Sequence, residues 1–408
     1  MNEMESFDVI IVGARVAGSS LAVLLGKQGK KVLLIDKASF PSDTLSTHHM
    51  SHLDYLKRLD VLEEVEASGL RKIERMRTHV GESFVEGPRA SYTIIPRRDH
   101  LDAILLHKAR QYSDVREQCS VRELLWDDGE VCGVVTRDRE GREQRIFADW
   151  VVGADGKNSN IARWVDAEIY HAEPPLRPVL YGYYEGVKPL ERPATEIFLH
   201  EGRIGFLFPM EEGRDCLGIE IHPGEFKDMM ASPREHFEAM YRQLYGMDER
   251  LRDASLQGKI IGTPGMPNHF RQSYGKGWIL IGDAAHSKDP STGLGINDAF
   301  MQSFLLAEAF EKMEAGAGGK SVLQEYQKKR DQQLLPGFQL TLDYIHSLKK
   351  WTQNEVALFQ AMASNPMVWN KIAPSLSNHL KKEAEDIPLL YQSVIMEAEA
   401  FGYRKEGE

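Results

Sequence analysis

Residues 8–36 read DVIIVGARVAGSSLAVLLGKQGKKVLLID. The β-branched run 8–12 predicts a buried strand, the small and apolar residues spaced helically over 16–25 predict a helix, and 31–35 predict a second strand. A strand, helix and strand in so short a span form a crossover unit whose two strands are parallel and adjacent. Between the first strand and the helix stands Gly13-Ala14-Arg15-Val16-Ala17-Gly18, and Asp36 followed by Lys37 closes the second strand. A turn in that place aims backbone N–H groups and the positive end of a helix at a pyrophosphate, while the carboxylate accepts from ribose hydroxyls. Arg15 departs from the pattern, because the G-x-G-x-x-G turn has its middle glycine there. The guanidinium is expected along the phosphate or adenosine side of the ligand, so that Gly is tolerated at this position and Glu is harmful.

Outward from this unit the pattern changes several times. Residues 53–65 predict one helix and 99–109 another, while 73–96 read as strands. Residues 121–149 predict an antiparallel meander with hairpins at Asp128-Gly129 and Glu140-Gly141. It leads into a third buried strand, 149–153, which ends in Ala154-Asp155-Gly156. Residues 178–275 alternate, as a second sheet does, and 278–281 predict a fourth buried strand closing in Gly282-Asp283. Helical patterning runs from 297 to the end, interrupted at 315–319. The fold class is therefore α/β: a Rossmann-like nucleotide domain with a parallel sheet and a meander (1–72, 97–177, 276–330), interleaved with an antiparallel-sheet substrate domain (73–96, 178–275). C-terminal helices follow over 331–408.

Composition excludes several classes. The 408 residues are 42% hydrophobic and 27% charged, a globular balance. Fifty Lys and Arg against 61 Asp and Glu leave a net charge of −11, which disfavours nucleic acid and anionic membranes as partners. The three cysteines, Cys119, Cys132 and Cys216, lack metal or redox-pair spacing and read as structural thiols in a reducing compartment. No signal peptide and no apolar run of membrane-spanning length is visible, so a cytoplasmic location is expected.

Two further segments carry chemistry. Gly153-Ala154-Asp155-Gly156-Lys157-Asn158-Ser159, with Arg163 after it, puts a carboxylate and a tight turn at the mouth of the sheet, which is also what a simple helix cap looks like. Gly282-Asp283-Ala284-Ala285-His286, followed by Pro290, Gly293, Leu294, Gly295, Ile296, Asn297 and Ala299, is more specific. Asp283 can bond a polyol, and the glycine turn opens a helix whose free N–H groups favour a developing negative charge.

In this order and spacing, over nearly the whole chain, the three segments resemble the flavoprotein monooxygenase family typified by para-hydroxybenzoate hydroxylase, with relatives among flavin halogenases and geranylgeranyl reductases. The resemblance implies FAD as cofactor. Gly13 to Gly18, with Asp36 and Lys37, would then hold its adenosine diphosphate half. Ala154, Asp155 and Gly156 would touch the pyrophosphate and serve the nicotinamide donor. Gly282 and Asp283 match the ribityl contact, and Pro290 with Gly293, Leu294, Gly295 and Ile296 matches the ring. Arg98, in Arg97-Arg98-Asp99-His100-Leu101, matches the family's flavin-contacting arginine, and Val121 falls where a backbone group meets adenine. Arg15 and an extra residue before Arg163 depart from the family pattern.

The loop 40–52 carries His48, His49 and His52 close together. The family fold puts it near the flavin, so Thr47 and His48 become candidate site residues, with His48 the one catalytic candidate. Hydrogen bonding within the loop is the plainer reading, and no carboxylate or thiol cluster supports a metal. The implied activity is that of a monooxygenase: NADH or NADPH visits and reduces FAD, O2 adds to give a flavin hydroperoxide, and an oxygen atom passes to a small, apolar, aromatic-sized substrate. Tyr181, Tyr183, Phe206 and Phe208 alternate in the second sheet and suit such a molecule or an ordinary core. Trp351, Phe359, Met362 and Trp369 are candidates to cover a pocket or to join subunits, and the oligomeric state is not legible. The alternatives are a double-bond reductase sharing the same three segments, a halogenase, whose Trp-x-Trp-x-Ile-Pro segment is missing, and a non-catalytic flavin-binding protein.

Overall fold

A computed structural model describes residues 5–211, 213–347, 352, 353 and 360. The first strand, Ser6–Val12, runs parallel to Val32–Ile35 with Val12 opposite Ile35, and the helix Val16–Lys27 connects them. On its other edge Ser6–Val12 pairs in parallel with the end of Glu143–Gly153, with Val12 opposite Gly153. Trp278–Leu280 extends the same sheet beyond Glu143–Gly153, and the three-residue strand Asp114–Arg116 extends it beyond Val32–Ile35. The carboxyl ends of the strands therefore bring the turns after Val12, Ile35, Gly153 and Leu280 to one rim, the place where open α/β sheets bind ligands.

Glu143–Gly153 is a single 11-residue strand with two roles. Its first half pairs antiparallel with Glu130–Arg137 in the meander, and its second half joins the parallel sheet. The hairpin at Asp128-Gly129 has both residues at positive φ, 43° and 75°, the conformation a two-residue turn between twisted strands requires. Ile10, Leu33, Ile35, Val134, Ile146, Val151 and Leu280 are fully or almost fully buried in one apolar cluster under this sheet.

The chain divides into two units. The first takes Met1–Ser68, Pro96–Pro174 and Met266–Phe338, and also holds a small sheet of Ile169–Glu173, Asn268–Arg271 and His286–Ser287. The second takes Gly69–Ile95, Pro175–Gly265 and the described residues from Gln339 on. Its sheet has seven strands, with Val179–Glu185, Arg203–Pro209 and Arg214–Glu220 paired antiparallel and Thr195–His200 parallel to Ile73–Val80.

Local departures from the periodic reading have physical causes. Residues 53–65 form two five-residue helices, Asp54–Arg58 and Leu62–Glu66, because Asp60 adopts a left-handed φ of 56° and breaks the run. The region 178–275 is not strand throughout: Phe226–Ala231, Pro233–Arg242 and Met247–Arg250 are helices. Pro233 stands in the first turn of its helix, where its missing N–H costs nothing. Phe237 and Tyr241 from that helix bury against Leu180, Tyr184, Phe198 and Leu217 of the sheet. Helices Gly295–Glu314 and Gly319–Ser347 follow, the second with Pro336 inside it. Trp351, Phe359, Met362 and Trp369 lie outside the described residues. No helix among the described residues is long and apolar enough to cross a membrane.

Candidate active site

The turn after the first strand is built by backbone geometry. Gly13 has φ 108°, and a Cβ there would run into the carbonyl of Ala154. A Cβ on Gly18 would run into the Gly13 carbonyl oxygen, so the helix can approach the turn only because that position is bare. Both oxygens of the Asp36 carboxylate accept backbone hydrogen bonds at 2.7 Å, one from Ala14 and one from Ala38, which fixes the carboxylate at the rim and leaves acceptor capacity for hydroxyls.

Arg15 lines the cavity, and its guanidinium is also held by the protein's own acceptors. Its guanidinium donates to the Asp102 carboxylate at 2.7 Å, to the Ser42 carbonyl and hydroxyl at 3.1 Å each, and to the Asp43 carbonyl at 3.0 Å. Asp102 is fully buried and also accepts from Arg98 at 3.0 to 3.1 Å. Arg15 therefore ties the dinucleotide turn to the loop after the second strand and to the helix Arg98–Ala109. A glycine at this place would lose that tie.

The turn 153–159 is self-contained in part. The Asp155 carboxylate accepts from the Ser159 hydroxyl at 2.5 Å and from the Asn160 and Ile161 backbone at 2.7 and 3.3 Å, while Ser159 caps the helix Asn160–Trp164. Burial raises the carboxyl pKa, and these bonds oppose the rise. Asp155 thus carries the helix-cap role, and Gly156, at φ 81°, makes the turn possible.

In the third segment the Asp283 side chain is different. It lies at the rim, burial raises its pKa against the pull of Arg98, and it has no hydrogen-bond partner among the described residues. Gly282 (φ 60°) and Gly293 (φ 65°) make the two turns flanking Pro290. The helix Gly295–Glu314 has no side-chain cap at its N-terminus, and a Cβ at Gly295 would meet no atom within 4 Å. Asn297, in the first turn and 6% exposed, has both amide atoms without a protein partner. The free N–H groups of that helix start are left for water or a ligand to satisfy.

These parts border one cavity of about 820 Å³ inside the first unit. Gly13, Arg15, Val16 and Ala17 line it, with Asp36, Lys37 and Thr47. Arg98 and Val121 line it as well, as do Ala154, Asp155 and Gly156. Gly282, Asp283, Pro290, Gly293, Gly295 and Ile296 complete the expected set. Ala14, Gly18, Leu294 and His48 are not on the wall. His48 is fully buried with φ 60°, and burial, together with Arg98 and Arg97, lowers its pKa to about 3, so it stays neutral. The histidine of that loop on the wall is its neighbour His49. Sequence reading also missed Cys119, whose thiol is pushed up by burial, and the pair Lys288 and Asp298. Among the described residues no group of three or more His, Cys, Asp or Glu side chains is placed to hold a metal.

The residues present fit FAD: an unpartnered carboxylate for a polyol, a second carboxylate at a dinucleotide turn, and an open helix N-terminus, all on one wall. The model of a family described as FAD binding domain matches residues 6–334. The chain belongs to this family. Among its relatives, the digeranylgeranylglycerophospholipid reductase of Methanosarcina acetivorans is 24% identical over 342 residues, 79% of this chain and 80% of that one. The myxobacterial chondrochloren halogenase CndH superposes with a TM-score of 0.78 at 18% identity, covering 96% of this chain and 97% of the other. The structure of pqsL from Pseudomonas aeruginosa, described as a probable FAD-dependent monooxygenase, gives 0.70 at 19% identity, covering 91% and 100%. At these identities the two structural likenesses are likenesses of fold. The FAD binding domain protein described here is an FAD-dependent oxidoreductase.

Proposed function

We propose that this flavoprotein is a monooxygenase that takes electrons from NADH or NADPH and oxidises a small, apolar, aromatic-sized molecule with O2. One observation carries the reading: the sequence holds a single dinucleotide turn, and that turn borders the cavity of about 820 Å³ in the first unit, so the nicotinamide donor is a visitor rather than a resident. Bound FAD would supply the redox chemistry, carrying two electrons from the donor to O2, of which one oxygen atom goes to the substrate and the other leaves as water.

The chain's own residues then have defined tasks. Asp36, oriented by Ala14 and Ala38, accepts from the ribose of the adenosine half. Asp283 accepts from the ribityl chain, and the uncapped start of Gly295–Glu314 on the cavity wall offers backbone donors and positive potential where negative charge develops. In the second unit, Tyr181, Tyr183, Phe206 and Phe208 share one sheet face, each less than a tenth exposed. The Phe206 and Phe208 rings stack at 4.8 Å, and Gly218 leaves the space in which the Phe206 ring lies. Such a face recognises a flat apolar molecule by stacking.

Reduction of a prenyl double bond is the second reading, favoured by the named activity of the Methanosarcina relative. The test uses purified yellow protein mixed with NADH or NADPH under nitrogen and then exposed to air. Bleaching by the donor, with oxygen uptake and roughly stoichiometric hydrogen peroxide on exposure, supports the oxygenase. A reduced flavin that persists in air and is discharged by a geranylgeranyl lipid overturns it in favour of the reductase. A bromide- or chloride-dependent halogenated product would overturn both.

A further inference from the structure

Lys288 and Asp298 both line the cavity, on the stretch of wall that includes Pro290 and Gly293, and their side chains form a direct ion pair. The two side chains are 4% and 16% exposed. Removing two charges from water offsets most of their attraction, so a buried pair contributes little net stability and calls for another explanation. Its placement provides one. Asp298 sits in the first turn of Gly295–Glu314, and a bare carboxylate there would cancel the positive potential that the helix start offers to the cavity. The Lys288 ammonium neutralises that carboxylate and restores the potential.

Among the described residues no other basic side chain is as close to the Asp298 carboxylate as Lys288. His286 has its Nε2 3.8 Å from Asp298, but burial, then Lys288 and Arg330, depress its pKa well below the usual histidine range, so the ring is neutral. The His286 ring packs 4.3 Å from Phe270 and 5.6 Å from Phe338. On another side a Cβ at Gly337 would lie 3.7 Å from the Lys288 Nζ, so the helix carrying Pro336 and Gly337 passes close to the ammonium at a position without a side chain. Asp283 feels both Lys288 and Asp298 electrostatically, which places the pair within range of the unpartnered carboxylate on the same wall.

We propose that Lys288, held on Asp298, sets the reduction equilibrium of the bound flavin by cancelling a carboxylate that would otherwise oppose the helix N-terminus. Lys288 is a poising residue rather than a catalytic one. The inference rests on the flavin reading of the cavity and goes beyond it by naming the charge pair that tunes the cofactor.

The test is the midpoint potential of FAD-loaded protein, measured by dye equilibration, for wild type, Lys288→Met, Lys288→Arg, Asp298→Asn and the double variant Lys288→Met/Asp298→Asn. FAD content and affinity are measured separately by fluorescence. Lys288→Met is expected to disfavour the reduced form about tenfold, a shift of ~30 mV for a two-electron couple. Asp298→Asn is expected to favour it by a similar factor, and Lys288→Arg to stay near wild type. The double variant, neutral at both places, is expected to return most of the way to wild type. A merely structural pair would move both single variants in one direction, and that result overturns the proposal, as do unmoved potentials in yellow protein. Should Lys288→Met not fold, Asp298→Asn and Lys288→Arg still decide: both must behave as stated. A wild type that binds no FAD sinks the flavin reading itself, a separate failure from one confined to the variants.

Discussion

Replacing Arg15 by glycine would restore the usual dinucleotide turn, yet the contacts of Arg15 predict a loss. Arg15 caps the start of Val16–Lys27 with an extended backbone, φ −85° and ψ −164°, and glycine tolerates that place. The cost comes from the side chain. It donates four hydrogen bonds, to Asp102, to both acceptors of Ser42, and to the Asp43 carbonyl. Asp102 keeps Arg98 when Arg15 is removed, so no buried carboxylate is orphaned and the larger penalty of about 3 to 5 kcal/mol does not apply. One charge-assisted bond to a buried partner is worth about 1.5 to 3 kcal/mol. The bonds to Ser42 and Asp43 are made by a guanidinium 29% exposed, so water replaces much of each, and together they add at most ~1 kcal/mol. The expected loss is about 1.5 to 4 kcal/mol, read as a lower urea midpoint of the FAD-free protein at unchanged slope. Asp102→Asn leaves two guanidinium groups without a counter-charge and should cost more. FAD affinity should fall as well, since Thr44, Leu45, Ser46 and Thr47, in the loop that Arg15 secures, line the cavity. An Arg15→Gly protein within about 0.5 kcal/mol of wild type, the range of ordinary surface changes, would refute the reasoning.

Three other outcomes are expected. Gly295→Ala meets no atom in the protein and replaces a poor helix former, so stability should hold or rise slightly, while its methyl enters the cavity and lowers FAD affinity about tenfold; equal affinity by fluorescence titration would count against the assigned wall. Asp283→Asn should weaken FAD binding by about 1.5 to 3 kcal/mol and leave the FAD-free protein as stable or more so, because burial penalises the carboxylate; the opposite pattern would show that Asp283 serves the fold. In the second unit, burial raises the Asp215 carboxyl to about 6 despite an Arg71 guanidinium 3.8 Å away. The folded state then holds a proton that the unfolded chain releases, so this group's contribution falls as pH rises from about 4 to 6, by about 3 kcal/mol in all. Asp215→Asn should flatten that slope in urea midpoints between pH 4.5 and 7.5, and parallel curves for the two proteins would rule the assignment out.

What could be read from sequence is what the backbone itself requires. Residues 9–12, 151–153 and 278–281 are continuous runs without a polar side chain because both faces of those strands are buried, and such runs are visible without a structure. Gly13, Gly18, Gly282 and Gly293 are legible for the same reason, since a turn or a close helix approach admits no side chain there. Shorter elements leave too little pattern. Asp114–Arg116 has three residues, less than two periods of a strand, and Phe226–Arg250 is cut into helices of one to three turns whose main signal is Ser232-Pro233.

Side-chain direction is a different kind of information. Whether His48 or His49 faces the cavity depends on one left-handed residue, His48 at φ 60°, and that conformation is unusual for histidine. Arg15 sits at a ligand-binding turn by pattern, but Asp102 is 87 positions away and only the folded chain reveals the pull. Lys288 and Asp298 are ten positions apart on either side of the Gly293 turn, in different elements, so no single periodic pattern joins them. The binding of the nucleotide rests largely on backbone and is written locally. Its tuning depends on charges brought together by the fold, so the Lys288–Asp298 pair is the part of the site where a relative with the same turns can differ in what its flavin does.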